Sequence, residues 1–517
     1  MAPTNILFIF FIFIFFAEFF YKRYTKKLPP GPTPLPFIGC IIEMLLNRPT
    51  FRWIHKLMGQ LNTPIICIRL GPSTHVITVS SSKLACEILK ENDSIFMSRP
   101  EVMSANLVSN GYRTAFLAPH GDQWRKMRRV VKQNLLSRPM HNWFQPKRDE
   151  EANHLLRYIC NQIDKKQDNI GGLINFRVLT QHFVANLTRK MAFGTRFFGK
   201  GMPDGGPGKE ETEHVDALYA IHNYLFGFSV NDYFPLFRGM IDFSGNDENI
   251  KTALQVVRKY HDPLIDERIQ MWNNGERTEK NDLLDVLINH ENPKLTTEEI
   301  KAEIIDLILG TVDNPSNATE WAMAEMLNEP ILLRKAVEEL DNVVGRNRLV
   351  EEQDLSQLNF IKACIKEAFR LHPFRAFNPP HLSMTDTTVA GYFIPKGSHV
   401  LVSRLGLGRN PDVWENPLRF DPDRHLRGEL SKQVVLSDDD ELRMISFGIG
   451  IRGCPAVELG STITTMLFAR ILHGFSWSVG NNGLSVSLAE NHDDLSLAKP
   501  LVAIAEKRLP EHLYPKN

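Results

Sequence analysis

A cysteine at the mouth of an apolar helical run is the residue best placed to do chemistry in this chain. Cys454 closes the stretch Phe447-Gly448-Ile449-Gly450-Ile451-Arg452-Gly453, is followed by Pro455-Ala456, and opens an apolar run from Val457 to Leu472. Glycines on both sides of an arginine describe a tight loop that delivers a sulfur to a helix start. A helix N-terminus and a nearby cation both lower a thiol pKa, and the thiolate is the form that ligates a metal. The other five cysteines, Cys40, Cys67, Cys86, Cys160 and Cys364, carry no such surroundings and read as inert thiols. Gly448, Gly450 and Gly453 also satisfy G-x-G-x-x-G, but a dinucleotide site needs an acid about 20 residues further on. No Asp or Glu stands between Glu458 and Glu490, which excludes that reading.

Three further groupings could support a site. Glu367 and Arg370 lie three apart on a helical stretch that ends at His372-Pro373, with Phe420-Asp421-Pro422-Asp423-Arg424-His425 downstream. On its own such a pair is a surface contact worth roughly 0.2–0.5 kcal/mol. Gly121-Asp122-Gln123-Trp124-Arg125-Lys126-Met127-Arg128 places Trp124 and Arg128 one helical turn apart. Asp313-Asn314-Pro315 interrupts a long apolar segment. That segment begins at a capping box, Thr296 with Glu299, and its isoleucines and leucines crowd several faces, so it predicts a central buried helix. Pro315 lacks an N–H and displaces the carbonyl of Thr311, which predicts an opening of the helix there.

Taken in their order, these stretches resemble the cytochromes P450, in which Phe, Gly, Arg and Cys recur at the spacings of Phe447, Gly450, Arg452 and Cys454. The resemblance implies a mainly α fold, a helical haem-binding domain with small β-sheets, with Cys454 as axial thiolate to the iron of haem b. It implies that Arg424 joins Glu367 and Arg370 in a bidentate network, and that Trp124 and Arg128 reach a haem propionate. Ala456 stands where the broad family usually has Gly.

Finer motifs resemble the plant amino-acid N-hydroxylases, the aldoxime-forming branch. They are Asp313-Asn314-Pro315-Ser316-Asn317-Ala318 with Glu320-Trp321-Ala322, Phe377-Asn378-Pro379-Pro380-His381-Leu382-Ser383, and Gly391 to His399. Here Asn314 replaces the family's usual Thr, and His381 the common Arg. The branch's haem loop usually carries a second Arg where Ile451 stands, so one cation beside the sulfur is lost. The resemblance implies an L-amino acid hydroxylated twice on nitrogen, with loss of water and carbon dioxide leaving the aldoxime, a precursor of glucosinolates or cyanogenic glucosides. O2 and electrons from NADPH, passed through a separate reductase, would drive it. Thiolate ligation favours O–O cleavage, and Asp313, Asn314 and water beside Pro315 are the candidates for proton delivery. A zwitterionic substrate needs a carboxylate partner, for which Arg113 and Arg375 are candidates; His381 is expected to face a haem propionate. Arg125, Lys126, Arg129 and Lys132 form a basic stretch that could meet an acidic reductase. A carbon-hydroxylating plant monooxygenase, an oxygen-independent peroxide isomerase or dehydratase, and a non-catalytic haem sensor are the rivals.

Bulk properties agree. Lys+Arg and Asp+Glu both number 60 in 517 residues, which argues against nucleic-acid binding by bulk charge. The cysteines include no CxxC pair, which suits a reducing compartment. Ile6 to Tyr21 is nearly all Phe and Ile, with Lys22, Arg23, Lys26 and Lys27 after it. Apolar first and basic second is the order of a signal anchor that leaves the body cytosolic. The expected division is an endoplasmic-reticulum anchor over 1–21, a basic and proline-rich linker over 22–36, and one monooxygenase domain over 37–517.

Overall fold

The segment after Thr296 folds as expected into one long helix, Thr297–Asn328, around which the rest of the chain is arranged. The computed structural model describes residues 27–165, 172–234, 242, 244–426, 434–436, 441–480 and 485–515. The expected anchor over 1–21 lies outside them, and no described helix is long and apolar enough to cross a membrane.

Seven helices build the site: α1 (Asp122–Val130), α2 (Phe176–Phe193), α3 (Lys209–Tyr224), α4 (Asn246–Asn273), α5 (Thr297–Asn328), α6 (Asn359–Leu371) and α7 (Val457–Gly474). At the start of α5, Glu299 N donates to Thr296 Oγ1 at 3.2 Å and Thr296 N to Glu299 Oε2 at 2.9 Å, the predicted reciprocal cap. Ile300, Ile304, Ile305, Ile308, Leu309 and Val312 are all buried, because α5 packs against α2, α6 and α7 at once. Further along, Trp321 stacks on His372 with centroids 3.7 Å apart, and His372 Nε2 contacts Glu325 Oε1 at 2.7 Å. That pins the end of α6 to the helix behind it.

Pro315 does not open α5, contrary to the sequence expectation; the helix runs through it. Two effects override the local rule. Buried side chains on both sides, Val312 and Trp321 among them, hold the helix in place. The Ser316 hydroxyl also donates to Val312 O at 2.8 Å, supplementing the backbone ladder beside the proline.

The sheets are small. Strands β1 (Ile65–Leu70), β2 (Thr74–Val79), β3 (Leu173–Asn175), β4 (His381–Leu382), β5 (Thr387–Val389), β6 (Tyr392–Ile394), β7 (His399–Val402), β8 (Phe475–Ser478) and β9 (Val502–Lys507) pair as β1-β2-β7-β4, β3-β9-β8 and β5-β6. The β-branched runs on either side of Gly71-Pro72 form the antiparallel β1–β2 pair, with Ile65 opposite Val79. The described part of the segment expected as a basic and proline-rich linker, from Lys27 onward, lies against the sheets. Cys67 N donates to Pro30 O at 2.9 Å and Phe393 N to Lys27 O at 2.8 Å, so backbone bonds tie it to the sheets. At Gly31 a Cβ would lie 1.9 Å from the Cys67 carbonyl, so the Pro-Gly-Pro run is a close fit against β1.

Candidate active site

The sulfur loop is closed by its own backbone. Cys454 N donates to Phe447 O at 2.8 Å, and Ala456 N to Cys454 Sγ at 3.3 Å. Gly450, at φ +74°, turns the chain so tightly that a Cβ there would lie 2.4 Å from the Asp93 carboxylate, which accepts from Ile451 N at 2.8 Å. Arg128 reaches from α1 to donate to Gly453 O, one residue before the sulfur. With α7 beginning at Val457, amide and cation both favour the thiolate. Ile451, where a second cation was missed, is 39% exposed.

Cys454 lines one wall of a cavity of about 780 Å³, with Phe447, Arg452 and Ala456 beside it. Gly310, Thr311, Asn314 and Pro315 of α5 line it too.

At the edge of this cavity stands a cluster of donors with too few acceptors. Arg452 Nε donates to Met97 O at 2.6 Å, and its guanidinium lies 4.4 Å from the Trp124 ring. Arg452 Nη1 and Nη2, Trp124 Nε1 and Arg99 Nε are buried without a partner among the described residues. Arg99 Nη1 is held by the carbonyls of Pro379 and Pro380 at 2.8 and 2.9 Å, and His381 Nδ1 contacts Phe96 O at 2.8 Å. Burial, then the charges of Arg99 and Arg128, push the Arg452 guanidinium down to about 8. Burial and Arg128 push Arg99 to about 9, and burial with Arg99 pushes the His381 imidazole to about 3. Several buried cations so close together call for an anion.

The other wall carries the polar groups of α5. Asp313 is wholly enclosed, with Oδ2 2.8 Å from His222 Nε2. Asn314 lines the cavity and makes no side-chain hydrogen bond among the described residues. Arg375 also lines it, its Nη2 donating to Asn223 Oδ1 at 3.2 Å and its guanidinium 4.5 Å from the Phe374 ring. Burial holds Arg375 below the usual arginine range, against the pull of Asp313 and Asp494. Arg113 is not brought to the cavity. It lies at the surface, 42% exposed and 3.9 Å from Glu298, because a carboxylate on the first turn of α5 draws it outward. Lys126 likewise leaves the basic stretch, its Nζ held by Glu299 at 2.7 Å, whereas Arg125, Arg129 and Lys132 are exposed.

Arg99 and His222 gave no signal in the sequence, since each acts through contacts with distant segments. Glu303 and Asp306, two acids in a largely apolar run, offered a signal that was passed over. Both are buried at the cavity and bind consecutive amides of its wall, Ala115 N to Glu303 Oε2 and Phe116 N to Asp306 Oδ2, each at 3.0 Å. Burial raises the Asp306 carboxyl to about 7 and, with Asp306 beside it, raises Glu303 well above its ordinary range.

Behind the sulfur loop, Glu367 is the acceptor of a closed network. Arg370 Nε and Nη2 each donate to it at 2.7 Å, Arg424 Nε at 3.0 Å, His425 Nε2 at 2.8 Å and Asp421 N at 2.8 Å. Burial pushes this carboxyl up, but the bonds from Arg370 and His425 outweigh it and hold it at about 2.

The family model described as Cytochrome P450 matches residues 29–501. The chain belongs to the cytochrome P450 family. Similar proteins include "Isoleucine N-monooxygenase 1" of Lotus japonicus, 52% identical over 500 residues (96% of this chain, 92% of that one). "Tryptophan N-monooxygenase 1" of Arabidopsis thaliana is 50% identical over 493 residues (94% and 89%). "Phenylalanine N-monooxygenase" of the same plant is 49% identical over 495 residues (95% and 93%). The P450 family implies a haem-thiolate, and the residues present fit that group. Cys454 offers a sulfur on one wall of the cavity, and the unpartnered donors of Trp124, Arg452 and Arg99 await the negative charge that two propionates would bring.

Proposed function

We propose that this P450 is an amino-acid N-monooxygenase, hydroxylating the nitrogen of an L-amino acid twice so that water and carbon dioxide leave and an aldoxime remains. O2 and electrons from NADPH, delivered by a separate reductase, are its other inputs. The observation that carries the reading is Arg375, a half-buried cation lining the same cavity as Cys454. A hydrocarbon substrate has no use for it, whereas an amino acid needs a partner for its carboxylate. Relatives of half-identical sequence that act on isoleucine, tryptophan and phenylalanine support the same reading.

Cys454 would hold the haem iron, and Trp124, Arg128, Arg452, His381 and Arg99 would hold its propionates. Bound there, the haem supplies O2 activation, which thiolate ligation promotes. The protein's own share is placement and proton control. Arg375 fixes the substrate carboxylate, and the apolar wall excludes bulk water from the nitrogen. The Asn314 amide, on the cavity wall, would offer donors and an acceptor to substrate and water there. Asp313, one residue away, is the carboxyl group of the proposed proton route.

Anchorage by residues 1–21 to the endoplasmic reticulum, with the body in the cytosol, and docking of the reductase on Arg125, Arg129 and Lys132 complete the proposal. The test is incubation with reductase, NADPH and each protein amino acid in turn. An aldoxime from at least one of them is expected. Product from hydrocarbon or terpenoid substrates alone would favour the carbon-hydroxylase alternative.

A further inference from the structure

A proton passed through Asp313 must be replaced at each turnover, yet its side chain is wholly enclosed. Neither oxygen receives a properly directed hydrogen bond among the described residues. The titratable side chain in contact with it is His222, in the last turn of α3. His222 Nε2 sits 2.9 Å from Leu309 O, toward which its N–H points, and 2.8 Å from Asp313 Oδ2. A small rotation of the ring moves that hydrogen from the carbonyl to the carboxylate. The other ring nitrogen, Nδ1, has no partner among the described residues, and His222 lines the cavity with 15% of its side chain accessible. One nitrogen therefore meets the acid and the other is open to water.

The surroundings hold the ring in this pose. Phe374 stands edge-on to it at 5.7 Å, and one turn back on α3 the Tyr219 hydroxyl pairs with Ser316 Oγ at 2.9 Å, docking α3 on α5 beside Asp313. The charged and titratable groups facing the pair are Arg375, beyond the end of α6, Asp494 of the C-terminal segment, and Tyr219, whose hydroxyl burial and Asp313 push far above the ordinary tyrosine range.

We propose that His222 passes protons from cavity water to Asp313. One proton enters at Nδ1 and one leaves from Nε2 to Asp313 Oδ2, so the imidazole stays neutral overall and ends as the other tautomer. Asp313 releases its proton toward the Asn314 side of the cavity. Ring rotation that turns both nitrogens to cavity water resets the relay, Nε2 taking a proton from water as Nδ1 returns one to it. No electrons move in these steps. The inference rests on the monooxygenase reading, because only oxygen reduction consumes protons here.

His222→Gln keeps a donor facing Asp313 but cannot relay. It should leave the spectral affinity for the amino acid and the melting temperature near the parent values. Aldoxime formed per NADPH should fall about tenfold or more, within the range typical of a lost acid–base group. Peroxide should rise to match, with a larger solvent isotope effect. His222→Gln with the parent ratio and isotope effect overturns the proposal, as does a loss of product explained by weaker substrate binding. A second measurement needs no turnover: the melting temperatures of His222→Ala, Asp313→Asn and the double variant should be non-additive, as for groups in contact. Additive values overturn the contact itself. A parent enzyme that makes no aldoxime, with non-additive melting, would instead locate the failure in the functional reading.

Discussion

Replacing Glu367 by Ala removes the acceptor of five hydrogen bonds and leaves the Arg370 guanidinium, 0% exposed, without its counter-charge. Breaking a buried pair from one side costs about 3–5 kcal/mol. The carboxyl itself gives a second measure. It is held at about 2 against an ordinary 4.5, which corresponds to roughly 3 kcal/mol favouring the ionised form in the folded protein. With an unfolding entropy of about 2.1 cal/mol/K per residue, a loss of that size lowers the melting temperature by roughly 3–5 °C. The functional loss should exceed it, because Arg370 also donates to the carbonyls of Pro417 at 2.7 Å and Arg419 at 3.1 Å. Those bonds lock the segment before the sulfur loop. The sign with pH follows from the lowered value: the stabilisation is fully present above about pH 4.5 and is lost as pH falls through about 2. Calorimetry of parent and variant from neutral to acid pH, with haem content measured on the same samples, is the assay. A variant that melts with the parent at neutral pH and retains its haem would refute the network's role.

Cys454→Ser should abolish the thiolate band of the reduced, carbon-monoxide-bound enzyme, since a serine hydroxyl is not ionised at neutral pH; a surviving band would displace the ligand assignment. Asn314→Ala should leave the melting temperature unchanged, because the amide has no protein partner, while peroxide rises and aldoxime per NADPH falls. Arg452→Leu should lower haem retention in purified protein yet stabilise the haem-free chain, as it removes a buried cation beside Arg99 and Arg128; equal retention would show that other donors hold the propionates.

The parts legible in the sequence are those governed by local rules. The cap at Thr296 and Glu299, the loop closing on Cys454 and the Glu367–Arg370 spacing each need only neighbours along the chain. Pro315 shows where such rules stop. Its missing N–H predicts a break, but the packing of Trp321 and Val312 and the hydroxyl of Ser316 hold the helix straight through it. Charge partners supplied from afar decided the rest. Arg113 and Lys126 were diverted by Glu298 and Glu299 on the first turn of α5, a pairing that neither segment announces. Arg99 and His222 become functional only where their backbones cross the cavity. His425 was visible beside Arg424, but its bond to Glu367 required the fold.

The central claim is that oxygen from O2 is placed on the nitrogen of an amino acid by the haem that Cys454 holds. Turnover of the preferred amino acid with reductase and NADPH under 18O2, followed by mass spectrometry of the aldoxime, tests it directly. The account predicts an oxime bearing one 18O atom, absent when Cys454→Ser replaces the parent. Oxime without the label, or label confined to a carbon hydroxyl, would contradict it.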